Sequence, residues 1–132
     1  MYTISKEFHF SAAHHLLGLR KGHPCGRQHG HNYIIVVELQ SETLNEHGFV
    51  QDYGELTPFK DFIDNTLDHK DLNDLPPFDE NLGGTNPTAE NIAKLIYDIF
   101  KPNFSTLHRI GVSETPKTMA WHKEQNENQK EE

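Results

Sequence analysis

Cys25-Gly26-Arg27-Gln28-His29-Gly30-His31 runs directly into Asn32-Tyr33-Ile34-Ile35-Val36-Val37-Glu38-Leu39-Gln40. From His31 onward the residues are β-branched and aromatic, which predicts a strand. Apolar residues fall on both of its faces, so it reads as a central strand covered on both sides. His29 and His31 are two apart, and on extended backbone both imidazoles point to the same face. Two neutral imidazoles on one face are two of the ligands that Zn²⁺ takes. A third protein ligand with an open fourth position makes a catalytic site rather than a structural one. Gly30 between the two lets backbone or substrate approach closely.

Upstream, residues 2–11 alternate, with Tyr2, Ile4, Phe8 and Phe10 on one face and Thr3, Ser5, Glu7, His9 and Ser11 on the other. That pattern predicts a half-buried strand, antiparallel to the next through a long hairpin. Residues 12–28 carry Gly18, Gly22, Pro24 and Gly26 and read as a loop. If the two strands pair, the end of the first lies beside the start of the second, and His14 joins His29 and His31. His15 is the rival ligand, and because neighbours on extended backbone point opposite ways, only one of the two serves. Cys25 sits in a polar loop beside Arg27, where nearby cations and a metal favour the thiolate. It reads as a base, with metal ligation the other possibility.

Downstream, residues 41–48 form a turn and residues 49–52 a short extended piece. A helix is predicted over about residues 55–66, with Leu56, Phe59, Ile63 and Leu67 at helical spacing. Residues 68–86 are a long loop, of the kind that is usually functional or mobile. A second helix follows, with Asn86 as its cap, Pro87 at its first position, and Ile92, Leu95, Ile96 and Ile99 repeating at i, i+3, i+4, i+7. Residues 107–114 and 117–121 close the chain as a strand pair. The order is ββααββ, hence α+β, in one domain over residues 1–121 with a polar, disordered tail over 122–132.

The chain has 132 residues, a formal net charge of -8, ten histidines and one cysteine. The acidic balance argues against nucleic acid as partner, and a lone cysteine fits a reducing, cytoplasmic compartment. No apolar run approaches the roughly 18 residues of a membrane span, and residues 1–6 hold no apolar signal core. Asp68-His69 places a carboxylate beside an imidazole, a common accident. Glu90 near a helix start has an ordinary explanation in the helix dipole. Sequence physics by itself assigns Thr88, Glu90 and Glu114 no function.

Six motifs together resemble one family. They are Phe10-Ser11-Ala12-Ala13-His14, Cys25 through His31, Asp52-Tyr53-Gly54, Leu67-Asp68-His69-Lys70-Asp71-Leu72-Asn73, Asn86-Pro87-Thr88-Ala89-Glu90-Asn91, and Glu114-Thr115. The chain is similar, over residues 2–121, to the pterin synthases of the tunnelling fold (T-fold). These include the 6-pyruvoyl- and 6-carboxytetrahydropterin synthases. The resemblance implies a four-stranded antiparallel sheet with two helices on one face, and zinc held by His14, His29 and His31. It implies Cys25 as catalytic cysteine, an Asp68-His69 relay, and Glu114 as pterin anchor with Thr88 and Glu90 nearby. It further implies a homohexamer of two stacked trimers, in which Cys25 and the Asp68-His69 pair of one site come from different subunits.

Cys25 lies four residues before His29, whereas animal pyruvoyl synthases of this kind have a longer gap, and a third branch replaces the cysteine by glutamate. The short gap points to the bacterial carboxy-forming enzyme of queuosine and 7-deazapurine biosynthesis, a lyase acting on 7,8-dihydroneopterin triphosphate. His15 stands where relatives often carry arginine, so a triphosphate contact passes to Arg27, Arg20 or Lys21. The alternatives are the pyruvoyl synthase and, further off, a zinc hydrolase or a non-enzymatic metal-binding domain.

Overall fold

A computed structural model describes residues 1–125. The part of the expected tail from residue 126 on lies outside the described residues. Four strands form one antiparallel sheet in the order β1-β2-β3-β4: β1 Tyr2–His14, β2 His29–Ser41, β3 Leu107–Ser113 and β4 Ala120–His122. Two helices, α1 Thr57–Phe62 and α2 Ala89–Phe100, contribute to the core on one face.

The register follows from the alternation. Phe8 pairs with Ile35 and Phe10 with Tyr33, so the apolar residues of β1 and β2 share a face. Ile35 then pairs with Val112 and Val37 with Ile110. Tyr33, Ile35, Val37 and Leu39 are fully buried against Phe59, Ile63, Ile92 and Ile96. On the opposite face Ile34 and Val36 are half-buried. The core-facing cover expected for β2 is therefore supplied by the chain's own helices, and the other face is covered only in part.

Several boundaries differ from the expectation. Both hairpin strands are longer, because β1 and β2 stay paired as far as His14 and His29. The first helix is composite: a 3-10 turn Tyr53–Leu56, then α1, then a π turn Ile63–Leu67. In the π turn Asp68 N–H donates to the Ile63 carbonyl, an i→i−5 bond that absorbs one extra residue. Residues 49–52 form no strand. The cap of α2 is Thr88, whose side chain accepts from Asn91 N–H, because Asn86 is engaged elsewhere. The 68–86 loop is built from three short 3-10 turns, Leu72–Asp74, Pro76–Phe78 and Glu80–Leu82. Among the described residues no helix is long and apolar enough to cross a membrane.

Candidate metal centre and active site

His14 and His29 are direct partners across β1 and β2, and His31 lies two residues further along β2 on the same face. Their ligand atoms all lie within 4.8 Å of one another, and among the described residues no other side chain joins the group. His14 is buried, at 1% exposure. His15 bonds through Nδ1 to Gln28 Oε1 at 2.8 Å instead, so the choice between the two neighbours falls on His14. Cys25 is outside the cluster and half-buried in a 3-10 turn, Pro24–Gly26. Its reading as a metal ligand is not supported.

The ring tautomers follow from their partners. His14 Nδ1 stands 2.7 Å from the Pro87 carbonyl oxygen, and His29 Nδ1 stands 2.6 Å from that of Arg27. A carbonyl only accepts, so both Nδ1 atoms carry the proton and both Nε2 atoms present lone pairs. Those two Nε2 atoms face each other at 2.9 Å. His31 Nε2 is buried with no hydrogen-bond partner. Three imidazole nitrogens, two of them oriented by carbonyls, suit a divalent metal of the zinc type. Burial pushes His14 below its ordinary value, which favours the neutral form that a ligand must have. Tyr33 floors the cluster: it stacks on Phe10 and its hydroxyl lies 3.3 Å from His14 Nδ1.

Glu114 follows β3 and brings Oε2 to 3.9 Å from His31 Nε2. It shares a cavity of about 430 Å³ with Glu90, Thr118 and Met119. Thr88 is not on that cavity, since its hydroxyl oxygen caps α2. Asp68 and His69 lie at the outer edge of β1. Asp68 Oδ1 accepts Ser11 N–H at 2.9 Å and Oδ2 lies 2.8 Å from His69 Nδ1. His69 N–H donates to the Ser11 carbonyl at 2.6 Å, and its backbone is left-handed at φ 58. That conformation is uncommon outside glycine. The Ser11 N–H, with the His69 ring second, holds the Asp68 carboxyl below its ordinary range. His69 itself is 82% exposed and lines an open cavity of about 510 Å³ with His31 but without Cys25. Arg20, Lys21, His23 and Arg27 line another cavity, of about 520 Å³.

The 6-pyruvoyl tetrahydropterin synthase family model matches residues 3–125. The chain belongs to that family. It is 31% identical over 121 residues to the 6-carboxy-5,6,7,8-tetrahydropterin synthase of Bacillus subtilis, covering 87% of this chain and 80% of that one. It is 37% identical over 121 residues to the enzyme of the same name from Synechocystis, covering 87% and 88%. Among solved structures, the Caenorhabditis elegans 6-pyruvoyl tetrahydropterin synthase superposes with a TM-score of 0.78 at 28% identity, covering 94% of this chain and 96% of that one. The sheet and its two helices are thus the T-fold of this family.

The oxygens that orient the imidazoles escaped the sequence reading. Pro87 and Arg27 act through backbone carbonyls, which carry no side-chain signature. Asn73 stood in the sequence only as the end of the Leu67–Asn73 motif, and Asn86 as a helix cap and the start of the Asn86–Asn91 motif.

Proposed function

We propose that this chain is a zinc-dependent 6-carboxy-5,6,7,8-tetrahydropterin synthase. It would convert 7,8-dihydroneopterin triphosphate and one water to 6-carboxytetrahydropterin, acetaldehyde and triphosphate in queuosine and 7-deazapurine formation. The observation that carries this reading is the three-imidazole cluster with Glu114 3.9 Å from His31. A metal site and a carboxylate for a heterocycle are thereby adjacent. The carboxy-forming branch is supported by the four-residue gap from Cys25 to His29 and by the names of the bacterial relatives.

His14, His29 and His31 would hold zinc, which when bound polarises side-chain oxygens of the substrate and acidifies the neighbouring C–H. Glu114 accepts hydrogen bonds from pterin ring N–H groups, a pairing that rejects rings lacking those donors. Glu90 lines the same cavity, and Thr88 sits at the helix start beside it. Cys25 thiolate takes a proton from the side chain, and His69, oriented by Asp68, returns protons. Arg20, Lys21 and Arg27 on one cavity supply cations for the triphosphate. His69 is exposed, and its cavity excludes Cys25. This supports a site completed between copies, in a homohexamer.

The test is to incubate zinc-loaded protein with 7,8-dihydroneopterin triphosphate and identify the product by mass. 6-Carboxytetrahydropterin with acetaldehyde is expected. A 6-pyruvoyl product would move the chain to the sister branch, and no turnover would overturn the reading. Cys25→Ala is expected to keep zinc and pterin while losing turnover.

A further inference from the structure

β1 ends at His14, yet the pairing along its outer edge continues. Ser11 is paired by Asp68 and His69, and Ala13 N–H donates to the Lys70 carbonyl at 3.0 Å. Two residues on, His15 N–H donates to Asn73 Oδ1 at 2.9 Å while Asn73 Nδ2–H donates back to the His15 carbonyl at 3.0 Å. Two further on, Leu17 N–H donates to Asn86 Oδ1 and Asn86 Nδ2–H to the Leu17 carbonyl, both at 2.9 Å. Each carboxamide reads the N–H and C=O of one residue, as a neighbouring strand would.

Between these two clamps Leu16 faces the other way, and its N–H donates to the Cys25 carbonyl at 2.8 Å. The clamps are themselves anchored. Asn73 N–H donates to Asp71 Oδ1 at 3.1 Å, and the Asn86 carbonyl accepts Asn91 Nδ2–H at 2.8 Å. We infer that Asn73 and Asn86 are positioning residues that hold residues 15–17 in place and so fix Cys25 relative to the three-imidazole cluster. Resting on the proposed role of Cys25, this adds a means of placing it. Asn73 also lies four residues after His69, so the loop bearing His69 and the loop bearing Cys25 are tied together at one amide. A displacement of the reacting group by about 1 Å is enough to cost roughly a hundredfold in rate.

Cys25 is the sole cysteine, so alkylation by iodoacetamide, followed by intact mass, reports that thiol alone. It needs no pterin and is therefore separate from the proposed reaction. The experiment compares zinc-loaded wild type with Asn73→Ala, Asn86→Ala and Asn45→Ala. Asn45 Oδ1 accepts the His47 and Phe49 N–H groups in a different turn and controls for general loosening. Expected is about tenfold faster alkylation in Asn73→Ala and Asn86→Ala at unchanged zinc content, with Asn45→Ala at the wild-type rate. Turnover should fall in kcat by about 10- to 100-fold with little change in KM. Asn86→Asp, which keeps the oxygen and loses the Nδ2–H donor, should alkylate at an intermediate rate and serves where the alanine variants do not fold. Wild-type alkylation rates in folded variants at both positions would overturn the inference, as would an equal increase in Asn45→Ala. Turnover persisting in Cys25→Ala would instead overturn the reaction proposed for Cys25.

Discussion

At the residue scale the site depends on which atoms carry protons. His14 and His29 are held with Nε2 free by the Pro87 and Arg27 carbonyls, and His31 Nε2 is buried and unpaired. Replacing His31 with alanine removes one of three nitrogens, and zinc affinity measured by competition with a chelator should fall at least about tenfold. Metal affinity should also decline in acid, because protons compete for the ligand nitrogens. The folded protein follows the same sign. Burial lowers the His14 value, so its contribution is complete above about pH 6.5 and is lost as pH falls from there through the lowered value. Asp68 behaves likewise in a more acidic window. Ser11 N–H and the His69 ring favour its charged form, so its contribution is present above the ordinary carboxylate range and is lost as pH falls through its depressed value. Asp68→Asn should flatten that part of an acid-unfolding profile followed by circular dichroism.

At the element scale the junction before α2 serves three structures at once. Asn86 holds Leu17, the Pro87 carbonyl orients His14, and Thr88 caps the helix. Thr88→Ala should destabilise the fold by about 1 kcal/mol, and Thr88→Ser should be near neutral, because the cap needs only the hydroxyl oxygen. Urea denaturation of the two variants reads the difference. The loop ahead of α2 is equally constrained. A Cβ at Gly84 would meet the Asp79 nitrogen, the Phe78 carbonyl carbon and the Pro77 oxygen at 2.6–2.7 Å. All three are backbone atoms, so Gly84→Ala must displace the loop, at a cost of about 1–3 kcal/mol in the same assay. Much at this scale was legible in the sequence: α2 from its 3.6-residue repeat, β1 from its alternation. The identity of the cap was not, because Asn86 and Thr88 are both good caps and only the contact with Leu17 decides between them.

At the scale of the whole molecule, one layer of helices closes one face of the sheet. Phe59 is fully buried and packs its ring 4.2 Å from that of Phe100 and 5.0 Å from that of Phe104. Phe59→Ala should cost about 3–5 kcal/mol in chemical denaturation. The opposite face leaves Ile34 and Val36 half-buried, and His69 stands open at the edge of β1. The proposed homohexamer predicts a particle of six 15.2 kDa chains by light scattering.

By itself the sequence determined what repeats locally. A period of two set the faces of β1 and β2, and with them the common direction of His29 and His31. A period of 3.6 set α2. Only the tertiary structure decided that His14 rather than His15 completes the cluster, since both sit where the strand ends and the register of β1 on β2 selects one. It also decided the ring tautomers, the seating of Asp68-His69 on Ser11, and the carboxamide clamps at His15 and Leu17. All but the His29–Arg27 contact join groups far apart in the chain, in most cases through backbone N–H or carbonyl atoms. Those atoms are the same in every residue, so no local pattern of side chains announces which of them will meet.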